Sequence, residues 1–172
     1  GSLNYAGVPS TIQFLMVAVV CAWVTIRIMR ILPKDFIRLV FLGIFRSLYK
    51  IRALGVENIP KEGGVLMVPN HMSYIDIFVL SAACPRPIRF VMFDECFDNK
   101  LVGKFARLFD TVPISPKKAR DGIRITAEAL KGGAVVCLFA EGQLSRTGGL
   151  SEIKRGYQMM AKKGEAKVLP AY

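Results

Sequence analysis

The sequence predicts an α/β domain with a largely parallel sheet flanked by helices, preceded by an N-terminal membrane-associated helical segment. Three observations carry this. From about residue 63 onward, short apolar runs alternate with helix-length stretches, the pattern of strand-helix repeats in a parallel sheet. Glycine and proline punctuate most of the switches. Residues 1–26 contain no Lys, Arg, Asp, Glu or His, so all 24 basic and 13 acidic residues fall in the remainder. A length of 172 residues suits one domain with a full core plus an appendage.

The apolar excess, 52% of residues with a mean hydropathy of +0.38, is concentrated at the front. Residues 6–26 approach the roughly 20 apolar residues that span a bilayer. Arg27, Arg30, Lys34 and Arg38 follow the apolar run, whereas a cleavable secretory signal starts with its basic region. The positive-inside rule places everything after this segment on the cytoplasmic face. Residues 36–49 form a second apolar segment, broken by Arg38 and Arg46, and read as interfacial rather than spanning. The division expected is 1–50 for membrane-anchoring helices and 51–172 for the catalytic domain. Burial of both segments as core helices is the alternative.

The elements then follow in order. Residues 65–68 form a buried strand that delivers Asn70-His71 at its carboxyl end. Ser73 reads as the N-cap of a helix over 73–83, with Asp76 three residues on in a capping-box arrangement. A strand is expected over 88–92, a helix over 100–109, a short strand over 112–114, and a helix over 119–130 stopped by Gly132-Gly133. Residues 134–139 are the clearest core strand, ending at Glu141-Gly142. A helix over 153–163 and a strand over 167–171 complete the alternation, and a domain stopping on that strand is expected to be truncated. Sites in such sheets gather beyond the carboxyl ends of the strands, where His71 and Glu141 both fall.

A net charge of +11 raises nucleic acid as a partner, but no zinc-finger, RNP-type or helix-turn-helix pattern accompanies it. Beside an apolar anchor, anionic membrane phospholipids fit better. The four cysteines, Cys21, Cys84, Cys96 and Cys137, lack metal-ligand or disulfide-framework spacing, so neither a metal nor a cross-link is expected.

The single histidine stands five residues ahead of an aspartate in Asn70-His71-Met72-Ser73-Tyr74-Ile75-Asp76. Imidazole takes a proton near neutral pH, and a carboxylate on its other nitrogen fixes the tautomer. On a continuous helix five residues advance about 140° beyond one turn, so the pair meets only if His71 precedes the helix. Asp76 acting solely as a cap is the plainer reading of the same spacing. The loop Phe139-Ala140-Glu141-Gly142-Gln143-Leu144-Ser145-Arg146-Thr147-Gly148-Gly149 supplies a carboxylate, two hydroxyls and a guanidinium for a polyol and an anion, or is simply a solvated turn.

Together, Asn70-His71-x-Ser73-x-x-Asp76 and, about seventy residues later, Phe139-x-Glu141-Gly142-x-x-Ser145-Arg146 resemble the glycerophospholipid acyltransferase family that includes the 1-acylglycerol-3-phosphate acyltransferases. The stretch 103–114 and Val168-Leu169-Pro170 resemble two weaker elements of the same family. The likeness runs from about residue 52 to 172. This chain has Ala140, Gln143 and Leu144 where members commonly have Pro, Thr and Arg, and Ser115 at the middle arginine position, with Lys117, Lys118 and Arg120 just beyond. Its wording is closer to the acyltransferase part of bifunctional acyl-ACP synthetase/2-acylglycerophosphoethanolamine acyltransferases.

The resemblance implies transfer of a fatty acyl group from a thioester, on acyl carrier protein or coenzyme A, to the free hydroxyl of a lysophospholipid, with no cofactor beyond that donor. It implies His71 as general base with Asp76 as its partner. Asn70, Ser73, Glu141, Gly142, Ser145 and Arg146 are the expected substrate-binding residues, with Lys117, Lys118 and Arg120 as alternative phosphate partners. Backbone N–H groups near the Ser73 helix start are the expected oxyanion donors. A membrane lipid-binding or scaffold module that keeps the fold without turnover is the alternative.

Overall fold

The structure, a computed structural model, describes residues 9–31, 33–145 and 152–172. Its contacts divide the chain into two units, Gly1–Leu39 and Val40–Tyr172. The first is dominated by helix α1 (Ser10–Ile31), whose 22 residues extend about 33 Å at the standard rise. Within it Ser10–Ile28 is, by length and composition, long and apolar enough to cross a membrane. Two of its polar side chains are satisfied within the helix: Thr25 Oγ1 donates to Cys21 O at 2.8 Å, and the Arg27 guanidinium lies 5.7 Å from the Trp23 ring centre. Pro33 opens helix α2 (Lys34–Leu48), where its missing N–H costs nothing and its carbonyl accepts from Phe36 N.

The second unit is built on five strands: β1 (Val65–Pro69), β2 (Ile88–Phe93), β3 (Val112–Ile114), β4 (Val135–Cys137) and β5 (Lys167–Ala171). They lie in the order β3-β2-β4-β1-β5, and every pairing is parallel. The register sets Val65 against Val135 and Lys167, so the strands β1, β4 and β5 start level. Side-chain alternation divides the core in two. Leu66, Val91, Val112 and Val136 face Leu130 of α5 (Ala119–Lys131) and Met160 of α6 (Gly156–Gly164). Val65, Met67, Ile88, Phe90, Val135 and Cys137 form the other face. That face is covered by α3 (Asp76–Ala83), by α4 (Lys100–Leu108) and by Phe41 and Leu42 of α2.

Two contacts close the amino edge of the sheet. Gly64 passes so near the Leu130 carbonyl that a Cβ would collide with it, which lets α5 sit down on β1. Arg86 donates to Pro60 O at 2.7 Å and Gly63 O at 3.0 Å, and also to Gly133 O, tying three loops to one guanidinium.

Most elements fall within a residue of where the sequence places them, and three differ by more. The helix expected from Ser73 begins at Asp76, because Ser73 Oγ accepts from Ile75 N at 3.3 Å and Asp76 N bonds to Ser73 O, making a tight turn of 73–75. The helix expected from 153 begins at Gly156, because Lys154 N donates to Ala140 O at 2.9 Å and ties that residue to the loop after β4. The strand expected over 134–139 is regular only over Val135–Cys137. Within the second unit, Phe41 packs on the core through Phe78, Phe105 and Phe109 with ring centres 5.3, 5.6 and 6.4 Å away.

Candidate active site

A parallel sheet puts all its strand carboxyl ends on one edge, and this edge collects the polar residues of the two motifs. β1 ends at Pro69 and hands the chain to Asn70, whose N–H donates to Ala171 O, the end of β5, at 3.3 Å. His71 comes next. Its Nδ1 lies 3.0 Å from Asp76 Oδ2, with the two side chains 15% and 22% exposed, so the pair is sheltered yet reachable.

The turn at 73–75 makes this pairing possible. It folds Asp76 back over the segment it follows, so that the same Oδ2 also accepts from Met72 N at 2.8 Å and Ser73 N at 2.9 Å. Three donors converge on one carboxylate oxygen. Asp76 therefore ties the imidazole to the turn ahead of the helix; the N-cap is Ile75, which has no side-chain cap bond, so neither Ser73 nor Asp76 caps α3 as the spacing suggested. A carboxylate only accepts, so Nδ1 carries the proton and Nε2 presents its lone pair. The imidazole plane is set by Phe139, stacked at a centre distance of 3.8 Å and 19° between planes. Phe139 is in turn nearly parallel to Phe90, 6.4 Å away.

The second loop grips His71 by its backbone. Glu141 is 4% exposed, and its Oε1 accepts from His71 N at 3.1 Å. Ser145 N donates to His71 O at 2.7 Å. Two segments seventy positions apart thus clamp one residue from both sides. Gly142, at φ +69°, makes the turn between them; a Cβ there would be strained and would stand 2.8 Å from Lys154 Nζ.

Gly142, Phe139 and Lys154 line a cleft of about 270 Å³, with Leu138, Ile123 and Met160 among its apolar walls; Phe139 is shared between this cleft and the imidazole stack. A second cavity of about 380 Å³ beyond β3 is lined by Lys118, Asp94, Asp121 and Arg124. Lys117 and Arg120 are exposed and line neither space. Arg146 lies outside the described residues. Of the backbone N–H groups at this turn, Met72 N and Ser73 N bond to Asp76, Ile75 N to Ser73 Oγ, and Asp76 N to Ser73 O. Beneath the site, burial pushes the Cys137 thiol far above its usual range, with smaller contributions from Cys84 and Asp76; it is a packing residue rather than a nucleophile.

Two residues at the site escape the sequence reading. Phe139 looks like the last residue of a core strand, and its stacking on His71 exists only after folding. Lys154 belongs to Ile153-Lys154-Arg155-Gly156, a basic pair just before a helix, which was the available signal.

Fold and site define an open parallel α/β domain with a histidine–carboxylate pair at its carboxyl edge. Residues 50–172 match the family model described as Acyltransferase, and the chain belongs to that family. Over 126 residues it is 31% identical to 1-acyl-sn-glycerol-3-phosphate acyltransferase LPAT1, chloroplastic, of Arabidopsis thaliana, covering 71% of this chain and 35% of that protein. It is 27% identical over 123 residues to the 1-acyl-sn-glycerol-3-phosphate acyltransferase of Bacillus subtilis (strain 168), covering 70% and 61%. The crystal structure of the 1-acyl-sn-glycerophosphate acyltransferase PlsC from Thermotoga maritima superposes with a TM-score of 0.55 at 29% identity, over 67% of this chain and 46% of that one. This chain thus spans between about a third and three-fifths of the length of these two curated relatives.

Proposed function

We propose that this domain transfers a fatty acyl group from a thioester to the free hydroxyl of a lysophospholipid. The donor would be acyl carrier protein or coenzyme A thioester, and the acceptor of the 1-acylglycerol-3-phosphate or 2-acylglycerophosphoethanolamine type. The observation that carries this reading is the His71 Nδ1–Asp76 Oδ2 contact at 3.0 Å, which leaves Nε2 as the base. Membership of the acyltransferase family and the names of the curated relatives support the substrate class.

Nε2 takes the proton of the acceptor hydroxyl as its oxygen attacks the thioester carbonyl carbon. Asp76 stabilises the imidazolium that forms. The tetrahedral intermediate collapses by breaking the carbon–sulfur bond, and the departing thiolate takes the proton back from Nε2. Ester and free thiol are the products, and no protein nucleophile is acylated. Glu141 and Ser145 serve by holding the His71 backbone, which favours a positioning role for Glu141 over direct contact with glycerol hydroxyls. The apolar cleft beside Phe139 suits an acyl chain, with Lys154 at its rim for an anionic group. α1 would anchor the chain, with the basic residues that follow it keeping this domain on the cytoplasmic face.

The test is thiol release from acyl thioesters by purified protein in detergent, across a panel of lysophospholipid head groups, with His71→Ala alongside. Acceptor-dependent release lost in His71→Ala is expected. Release no faster than without protein, for every acceptor and both donors, would leave the lipid-binding scaffold as the reading.

A further inference from the structure

Helix α4 leaves part of its apolar surface uncovered by the core. At 100° per residue, the buried Gly103 and Ala106 mark its inward side, and Leu101 falls about 170° away. Leu101 is 71% exposed, and Phe105, one turn on, is 40% exposed. Lys100, Lys104 and Arg107 recur at i, i+4 and i+7 and form the adjoining row, and α4 contains no acidic residue. An apolar row exposed beside an all-basic row is the pattern of a helix lying in a lipid interface.

The surface continues beyond α4. Phe105 meets Phe41 and Phe78 with ring centres 5.6 and 5.8 Å apart, so α2, α3 and α4 share one aromatic seam. Exposed apolar side chains flank that seam on each helix. In α2, Ile44 and Leu48 lie one residue before Phe45 and Tyr49 and are 57% and 75% exposed. Before α3, Tyr74 and Ile75 are 77% and 42% exposed, within the turn that carries Asp76 to His71. Scattered exposed apolar residues need no explanation, but several on elements that share one aromatic seam, with a basic row beside them, do.

We propose that α4 and the turn 72–75 form a second membrane contact, which rests on anionic lipid head groups and brings the His71 turn to the lipid surface. Charge chooses the occupant. Three cations beside the apolar row suit phosphate-bearing lipids and would repel a second copy of this basic chain presenting the same face. The contact stands without reference to turnover; its use, the delivery of a lipid acceptor to His71, rests on the function proposed above.

Trp23 is the only tryptophan, so a Trp23→Phe background makes an introduced indole the sole emitter. The full chain carrying Leu101→Trp is bound to phosphatidylcholine vesicles containing phosphatidylglycerol and acyl-chain-brominated lipid. Glu128→Trp, on α5 across the sheet, is the control. Leu101→Trp emission is expected to shift blue and be quenched, while Glu128→Trp is not. Adding Lys100→Gln and Lys104→Gln, omitting phosphatidylglycerol, or raising salt should each restore emission. An unquenched Leu101→Trp in vesicle-bound protein would overturn the proposal, as would quenching indifferent to the lysine substitutions, to phosphatidylglycerol and to salt. An indole shielded from brominated lipid and from acrylamide alike would assign the face to a second copy and overturn it equally. Loss of acyl transfer with quenching intact would count against the proposed activity and not against this contact.

Discussion

His71 is held by Asp76, Phe139, Glu141 and the Ser145 backbone, and the side-chain partners can be changed one at a time. His71→Ala removes the base, so acyl transfer should fall by about 10²- to 10⁴-fold with the thermal melt little changed. Asp76→Asn should be comparably severe, because an amide can present its NH₂ to Nδ1 and reverse the tautomer. Wild-type turnover in either folded variant, measured by thiol release, would sink the mechanism. Glu141 tests positioning: Glu141→Ala should lower kcat with acceptor KM nearly unchanged, while Glu141→Gln keeps an acceptor oxygen for His71 N and should recover much of the rate. A rise in acceptor KM in both variants would make Glu141 a substrate contact instead. Arg146→Ala should raise acceptor KM more than it lowers kcat, if the guanidinium holds the non-reacting phosphate equally in ground and transition states. Single and combined alanine changes at Arg146, Lys117, Lys118 and Arg120 decide this. An effect confined to the lysine/Arg120 group would reduce Arg146 to a surface residue.

At the scale of elements, packing against the sheet controls how accurately the site is presented. α5 approaches β1 through Gly64, where an added methyl would meet the Leu130 carbonyl, backbone that cannot give way cheaply. Gly64→Ala should cost about 1–3 kcal/mol, read as a lowered melting midpoint, although Gly64 lies at the sheet edge opposite the site. An unchanged melt would mean that α5 can move off the sheet. The periodicities that define the strands were legible because each core face repeats every second residue: Val65 and Met67 on one side, Leu66 on the other. The start of α3 was less so. Ser73 and Asp76 read as a helix start, yet the Ser73 hydroxyl spends itself on Ile75 N and delays the helix to Asp76. That short delay is what lets the carboxylate reach Nδ1.

On the scale of the whole molecule, the chain joins a largely apolar helix to a basic unit of the acyltransferase family. Deleting residues 1–33 should move the protein from the membrane fraction toward solution, because Ser10–Ile28 is lost with its first basic flank. Binding that remains should weaken with salt, as expected of basic side chains on anionic lipid. Salt-resistant association after that deletion would place the anchor elsewhere.

Sequence by itself determined the α/β class, the alternation of elements, the His71–Asp76 pair and the family, because these rest on local periodicity and on short motifs. Only the tertiary structure decided how the two motifs serve each other. Glu141 and Ser145 hold the His71 backbone, Phe139 sets the plane of its ring, and Lys154 stands over Gly142. The physical reason is the parallel sheet: by setting β1 beside β4 in register, it brings together backbone groups seventy residues apart, and hydrogen bonds of that kind leave no periodicity in the chain.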